Sequence, residues 1–152
     1  MTGFVPDDFD PPRGLSEARF RLEPLGPQHN DADYVAWTSS MAHIRDTPGF
    51  TTGRWPREMT LDQNRDDLLR HERDFETRTG FTYTVLAGEA DVVGCVYIYP
   101  LVPHPEPGAA HVDSWVRADR AELDAPLYRA VSDWLDRDWP FRRVDYPARE
   151  TT

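Results

Sequence analysis

Covalent staples and membrane anchors are both missing from this chain. Its 152 residues include a single cysteine, Cys95, so no disulfide can close within it. No apolar run approaches the roughly 20 residues that a bilayer-spanning helix needs, and no basic stretch followed by an apolar core opens the sequence. A cytoplasmic protein without membrane contact is the expectation. Positive charge is scarce as well: 17 basic residues face 27 acidic ones, for a formal net charge of -10 and a pI near 4.8. Polyanions are repelled on average, which argues against nucleic acid as a partner. Neither a Walker sequence nor a Gly-x-Gly-x-x-Gly run is present. His29, His43, His71, His104 and His111 share no metal-ligand spacing, so no metal is expected. Ser39-Ser40 lacks a nucleophile elbow, and Cys95 lies among apolar strand residues that keep a thiol protonated and inert.

What remains has the size of one domain, large enough to bury a core unaided. Seven of the 14 prolines cluster in residues 1–12 and 100–107, both of which read as loops. An acidic, proline-rich N-terminal tail over 1–17 therefore precedes a single domain over 18–152, with Phe4, Val5 and Phe9 as the tail's apolar contacts. Phe20, Leu22 and Pro24 alternate with polar residues as in a half-buried strand, stopped by Gly26-Pro27. From Asn30 or Asp31, the residues Tyr34, Trp37, Met41 and Ile44 recur at helical spacing until Pro48-Gly49. A loop over 47–59 carries Phe50 and Trp55 and is long enough to close over a neighbouring cavity. Thr60-Leu61-Asp62-Gln63 has the form of a capping box, and the helix it starts runs through Leu68, Leu69 and Phe75 to Gly80. Strands follow over 81–85, 92–101 and 110–117, then a helix from Asp124 with Leu127, Val131, Trp134 and Leu135 inside, then a short strand over 143–146.

The junction from Val112 to Leu127 says most about function, because strand, tight turn and helix is how α/β proteins seat phosphates. Free amides at a helix start carry partial positive charge and attract an anion. Here the turn has no glycine, and Asp119, Glu122 and Asp124 outnumber Arg117 and Arg120. The outline of an anion site is present and its chemistry is altered.

The order strand, helix, helix, three strands, helix, strand predicts an α/β (α+β) fold, a mixed and mostly antiparallel central sheet with helices on both faces, its last strand returning parallel to the one before. Through Phe20-Arg21-Leu22-Glu23-Pro24-Leu25, Val92-Val93-Gly94-Cys95-Val96, and Trp115-Val116 followed by Arg120, the sequence resembles the GNAT superfamily of acyl-CoA-dependent N-acetyltransferases, over about residues 18–146. The resemblance implies that pantetheine lies between the strands matching 112–117 and 144–146, with pyrophosphate on a Gln/Arg-x-x-Gly-x-Gly/Ala turn. Arg120 matches the first position, Leu123 replaces the first glycine, and Ala125 stands at the second. The implied acyl-CoA contacts are Val116, Arg117, Arg120, Leu123, Asp124 and Ala125, with acetyl-CoA as co-substrate. The family's further helix and strands, which often bring a tyrosine acid, have no counterpart beyond residues 147–152.

Acyl transfer to an amine needs a proton acceptor, and Asp113 or His111 is the expected one, against ordinary readings as a surface carboxylate and a strand-edge histidine. Trp37, Trp55, Tyr97 and Tyr99 are expected to line an acceptor pocket or, as aromatic stripes often do, simply to fill the core. The reading is an acetyltransferase acting on the amine of a small molecule or peptide. The alternative is a catalytically silent GNAT-fold module that binds or self-associates, as a homodimer, through its bare sheet edge.

Overall fold

The computed structural model describes residues 3–52 and 54–149; residues 1–2 of the head, Gly53 and residues 150–152 lie outside the description. Six strands form one sheet in sequential order: β1 (Leu15–Ser16), β2 (Arg21–Pro24), β3 (Phe81–Ala87), β4 (Asp91–Tyr99), β5 (Ala109–Val116) and β6 (Arg143–Asp145). All neighbours pair antiparallel except β5 and β6, which run parallel through Ala109↔Arg143, Ala110↔Val144 and His111↔Asp145. Pairing of β5 with β6 therefore stops at His111. The remainder of β5 has a free edge facing residues 146–149.

The sheet has two unlike faces. β3 sends Phe81, Tyr83 and Val85 to one side, where they meet Leu127, Val131, Trp134 and Leu135 of α4 (Asp124–Asp138). The proline-rich head lies on this side too: Val5 is buried, Phe4 stacks on Phe141 at 5.3 Å, Phe9 meets Trp139 at 5.3 Å, and the Tyr83 hydroxyl donates to the Pro12 carbonyl at 2.6 Å. On the other side Cys95 and Trp115 meet α1 (Asn30–Thr38), α2 (Met41–Arg45) and α3 (Leu61–Glu76) through Trp37, Ile44 and Leu68. Burial pushes the Cys95 thiol well up, which keeps it protonated.

Local signals account for most boundaries. The Thr60 hydroxyl accepts from the Gln63 amide at 3.1 Å while the Gln63 side chain accepts from the Thr60 amide at 2.9 Å, which satisfies two free donors at the start of α3. The single helix expected from Asn30 to Ile44 is instead two, because Ser40 leaves helical geometry and its hydroxyl accepts from the Ala118 amide at 2.8 Å. β1, too short to show a periodic pattern, went unread in the sequence. No helix among the described residues is long and apolar enough to cross a membrane.

Candidate functional site

A cavity of about 310 Å³ opens on the helical side of the sheet, between α1, α3, β4, β5 and the loop after α2. Phe50, Trp55 and Tyr97 form its aromatic wall, with ring centroids 5.8 to 6.4 Å apart and planes inclined by 56° to 71°, so the rings make a corner instead of a stack. Tyr97 is fixed from behind: its hydroxyl accepts from the Trp115 indole at 2.9 Å, and burial raises its pKa far above the usual phenol value.

Carboxylates from three elements reach the same space: Asp33 of α1, Asp67 of α3 and Asp113 of β5. Their surroundings differ. Asp113 Oδ2 accepts from His111 Nε2 at 3.0 Å, and that bond raises the His111 pKa above its ordinary 6.5. Asp67 lies 3.7 Å from Arg70, which also reaches Asp74 at 3.9 Å. Asp33 is only 4 % exposed, and its one partner among the described residues is the neutral amide of Asn64, 3.1 Å from Oδ2. Asn64 is itself held by Asn30 at 2.8 Å and by the Trp37 indole at 2.9 Å. Desolvation raises the Asp33 pKa from 3.8 to about 6, against the lowering effect of the Asn64 bond.

The loop after α2 covers Asp113 closely. Gly49 has φ +100°, and a Cβ there would come within 2.2 Å of Asp113 Oδ1, so only glycine permits this approach. Behind Asp113, on the opposite face of β5, lies Ser114, whose carbonyl is on the edge that β6 no longer pairs. Arg149 takes that carbonyl with Nη2 at 2.7 Å, while its Nε donates to Asp124 at 2.7 Å and Nη1 donates to the Pro147 carbonyl at 2.8 Å. This guanidinium is nearly buried and lies between β5 and the irregular segment 146–149 that follows β6. It also lies 5.8 Å from the rings of Tyr128 and Tyr146.

The structure thus divides the expected site residues. His111 and Asp113 come together beside the cavity, and Trp55 and Tyr97 line it. Trp37 does not: it is buried behind Asn64 and faces a second groove with Tyr34 and Met59. Tyr99 is turned to α3, where its hydroxyl donates to Asp74 at 2.9 Å and bonds His71 at 2.9 Å. At the turn, Val116 is buried and pairs with Gly94. Arg117 bonds Asp91 and Asp119, at 2.7 and 2.9 Å, and Arg120 bonds Glu122 at 3.1 Å. Leu123 is in the core, its side chain 1 % exposed; Asp124 holds Arg149; Ala125 is half-buried in the first turn of α4. Residues 118–123 coil as a 3-10 helix whose Ala118 and Arg120 amides are already engaged, by Ser40 and by the Arg117 carbonyl.

Sequence reasoning overlooked Asp33, Asn64, His71 and Arg149. Three of them left a trace: Asn64 and His71 stand at the spacing of Leu68 and Phe75 on the buried stripe of α3, and Asp33 stands one turn before Trp37 on α1. A polar residue on an apolar stripe either pairs inside or faces a cavity. Arg149 left none, since its partners are far away in sequence.

No protein-family model matches the sequence, and no curated protein matches it. Solved structures do match by shape. The ribosomal-protein-S5-alanine acetyltransferase from Vibrio fischeri superposes with a TM-score of 0.62 at 15 % identity, over 80 % of this chain and 66 % of that one. An acetyltransferase from Salmonella typhimurium that modifies the N-terminal serine of ribosomal protein L7/L12 gives 0.67 at 12 % identity, over 86 % and 72 %. The microcin C7 self-immunity acetyltransferase MccE, solved with acetyl-CoA and AMP, gives 0.60 at 9 % identity, over 83 % and 68 %. This chain spans about two thirds of the length of these neighbours and shares their fold, the GNAT fold.

Proposed function

We propose that the chain is a GNAT-type N-acyltransferase that moves an acyl group from acyl-CoA, acetyl-CoA in the first instance, to the amine of a small molecule or peptide. One observation carries this reading: Asp113 faces the cavity while the next residue, Ser114, offers a carbonyl on the unpaired strand edge. Acceptor and acyl donor would meet there across a single strand. Acyl-CoA, when bound, supplies the thioester carbon to which the amine nitrogen bonds as the carbon–sulfur bond breaks. The chain's own part is to hold the amine and to take its proton, for which the Asp113–His111 pair is placed.

The donor's two halves fit unequally. Ser114 already accepts an N–H, that of Arg149, where an amide of the pantetheine arm would donate. The turn suits a diphosphate poorly, because Leu123 is committed to the core and Asp119, Glu122 and Asp124 surround the start of α4. This mismatch, with Arg149 at the free edge of β5, favours the second reading: a catalytically silent GNAT-fold module that binds at the cavity and associates through a sheet edge.

Titration calorimetry with acetyl-CoA separates the two. The double variant Arg149→Ala/Asp124→Asn, which leaves no uncompensated buried charge, is expected to bind at least tenfold more tightly than the unaltered chain. Arg120→Ala is expected to bind as the unaltered chain does. If neither the unaltered chain nor the double variant binds at about 1 mM, where binding free energy is only about -4 kcal/mol, transfer is excluded and the silent module stands. A dimeric mass at micromolar concentration belongs to that second reading, and a strictly monomeric one counts against it.

A further inference from the structure

The three cavity carboxylates are not equivalent. Asp113 is answered by His111 and Asp67 by Arg70, whereas Asp33 makes no ion pair among the described residues; His29, engaged with Glu23 at 3.1 Å, acts on it only through space and less than burial does. Its Oδ2 is pinned by Asn64, and Asn64 is locked by Asn30 and Trp37, so the carboxylate is held in one orientation by neutral groups alone. A buried carboxylate without a counter-charge is costly, and proteins keep such a group where a ligand supplies the missing charge. Desolvation lifting it to about 6 expresses that cost. The aromatic corner is the second element. Rings present negative faces, and Phe50, Trp55 and Tyr97 line the same space as Asp33, an arrangement that suits an organic cation. An anion is disfavoured there: of the two basic side chains that line the cavity, Arg70 already lies 3.7 Å from Asp67 and 3.9 Å from Asp74, and His71 is kept uncharged by burial, its pKa lowered to about 4. Size is the third element: about 310 Å³ lies at the lower end for ligand cavities and suits a molecule of a few carbons.

We infer that the cavity recognises a small aliphatic diamine, one ammonium seated between Asp33 and the aromatic corner and the other amino group presented to Asp113. This rests on the acceptor cavity of the proposed function for the role of the second amine, and on Asp33 alone for recognition of the first. Monoamines satisfy only one of the two carboxylates, so the cavity discriminates by charge number.

The test uses the full chain without any acyl donor. Binding of 1,4-diaminobutane and of n-butylamine is measured by calorimetry at about 0.15 M salt, where a Debye length of about 8 Å suppresses general attraction to an acidic protein. The diamine is expected to bind at least tenfold more tightly. Asp33→Asn, which keeps the side chain's size and removes a desolvated charge, is expected to reduce that ratio to less than twofold while the chain stays folded by circular dichroism. Asp136→Asn, on the exposed face of α4, is expected to leave the ratio unchanged. Equal affinity for both amines, binding of neither, or a ratio that survives Asp33→Asn each overturns the inference. Failure of acetyl-CoA to bind leaves this result untouched and removes only transfer. Acylation of monoamines and diamines at equal efficiency does the reverse.

Discussion

Buried Asp33 and half-buried His71 both line the cavity, and their titrations are displaced in ways that oppose each other. His71, whose Nδ1 lies 2.9 Å from the Tyr99 hydroxyl and 3.0 Å from that of Thr82, has its pKa lowered from 6.5 to about 4, chiefly by desolvation. Between those values the unfolded chain binds a proton that the folded chain refuses, so this group costs stability as pH falls from 6.5 to 4. Asp33, raised from 3.8 to about 6, behaves oppositely: over that range the folded chain holds the extra proton, and acidification stabilises it. Each displacement is worth roughly 3 kcal/mol, so the two nearly cancel. Urea denaturation at pH 7 and pH 4 is expected to show His71→Gln gaining about 3 kcal/mol on acidification relative to the unaltered chain. Asp33→Asn is expected to lose about as much over the same range. Parallel pH profiles for all three proteins would disprove the buried titrations.

Among the elements, legibility followed the reach of the interactions that make each one. α3 was legible because its stripe lies within its own 16 residues and its cap, Thr60, and its stop, Gly80, lie within four residues of its ends. β3, β4 and β5 were read from alternating β-branched and aromatic residues, and α4 from Leu127, Val131, Trp134 and Leu135. The break between α1 and α2 was missed because it serves a contact 78 residues away, the bond from the Ala118 amide to the Ser40 hydroxyl. That bond joins the helix break directly to the turn before α4. Ser40→Ala is expected to leave the Ala118 amide without its protein partner and to cost about 1 kcal/mol. Thr60→Ala, which removes a local cap, is expected to cost about 1 kcal/mol. The distinguishing measurement is amide exchange: Ser40→Ala should speed exchange at residues 118–123, and Thr60→Ala only in the first turn of α3. Identical patterns would show that the long bond does not hold the turn.

Across the whole molecule, the sheet separates a packing face from one that carries the cavity, and this separation explains why the candidate site was half visible in the sequence. Asp113, His111, Trp55 and Tyr97, which lie at or beside the cavity, were legible as candidates because strand alternation and the aromatic loop mark them locally. Asp33 and Arg149 act only once distant elements have been folded together, so no window of the sequence contained their meaning. The packing face holds the head: Val5 buried, Phe4 and Phe9 against Phe141 and Trp139, and the Pro12 carbonyl taken by Tyr83. Fully burying an aliphatic or aromatic side chain contributes about 1.5 to 3 kcal/mol, and with Val5 buried and Phe4 and Phe9 half-buried, losing all three still weighs heavily against a total stability of about 5 to 15 kcal/mol. None of the head's residues lines the cavity, which is walled by α1, α3, β4, β5 and the loop after α2. The triple variant Val5→Ala/Phe4→Ala/Phe9→Ala is therefore expected to lower the melting temperature by about 10 °C or more. At 10 °C, where the variant is still folded, it should retain the unaltered chain's affinity for 1,4-diaminobutane within twofold. An affinity loss matching the stability loss would mean that the two faces are coupled through the sheet and that the cavity depends on the packing behind it.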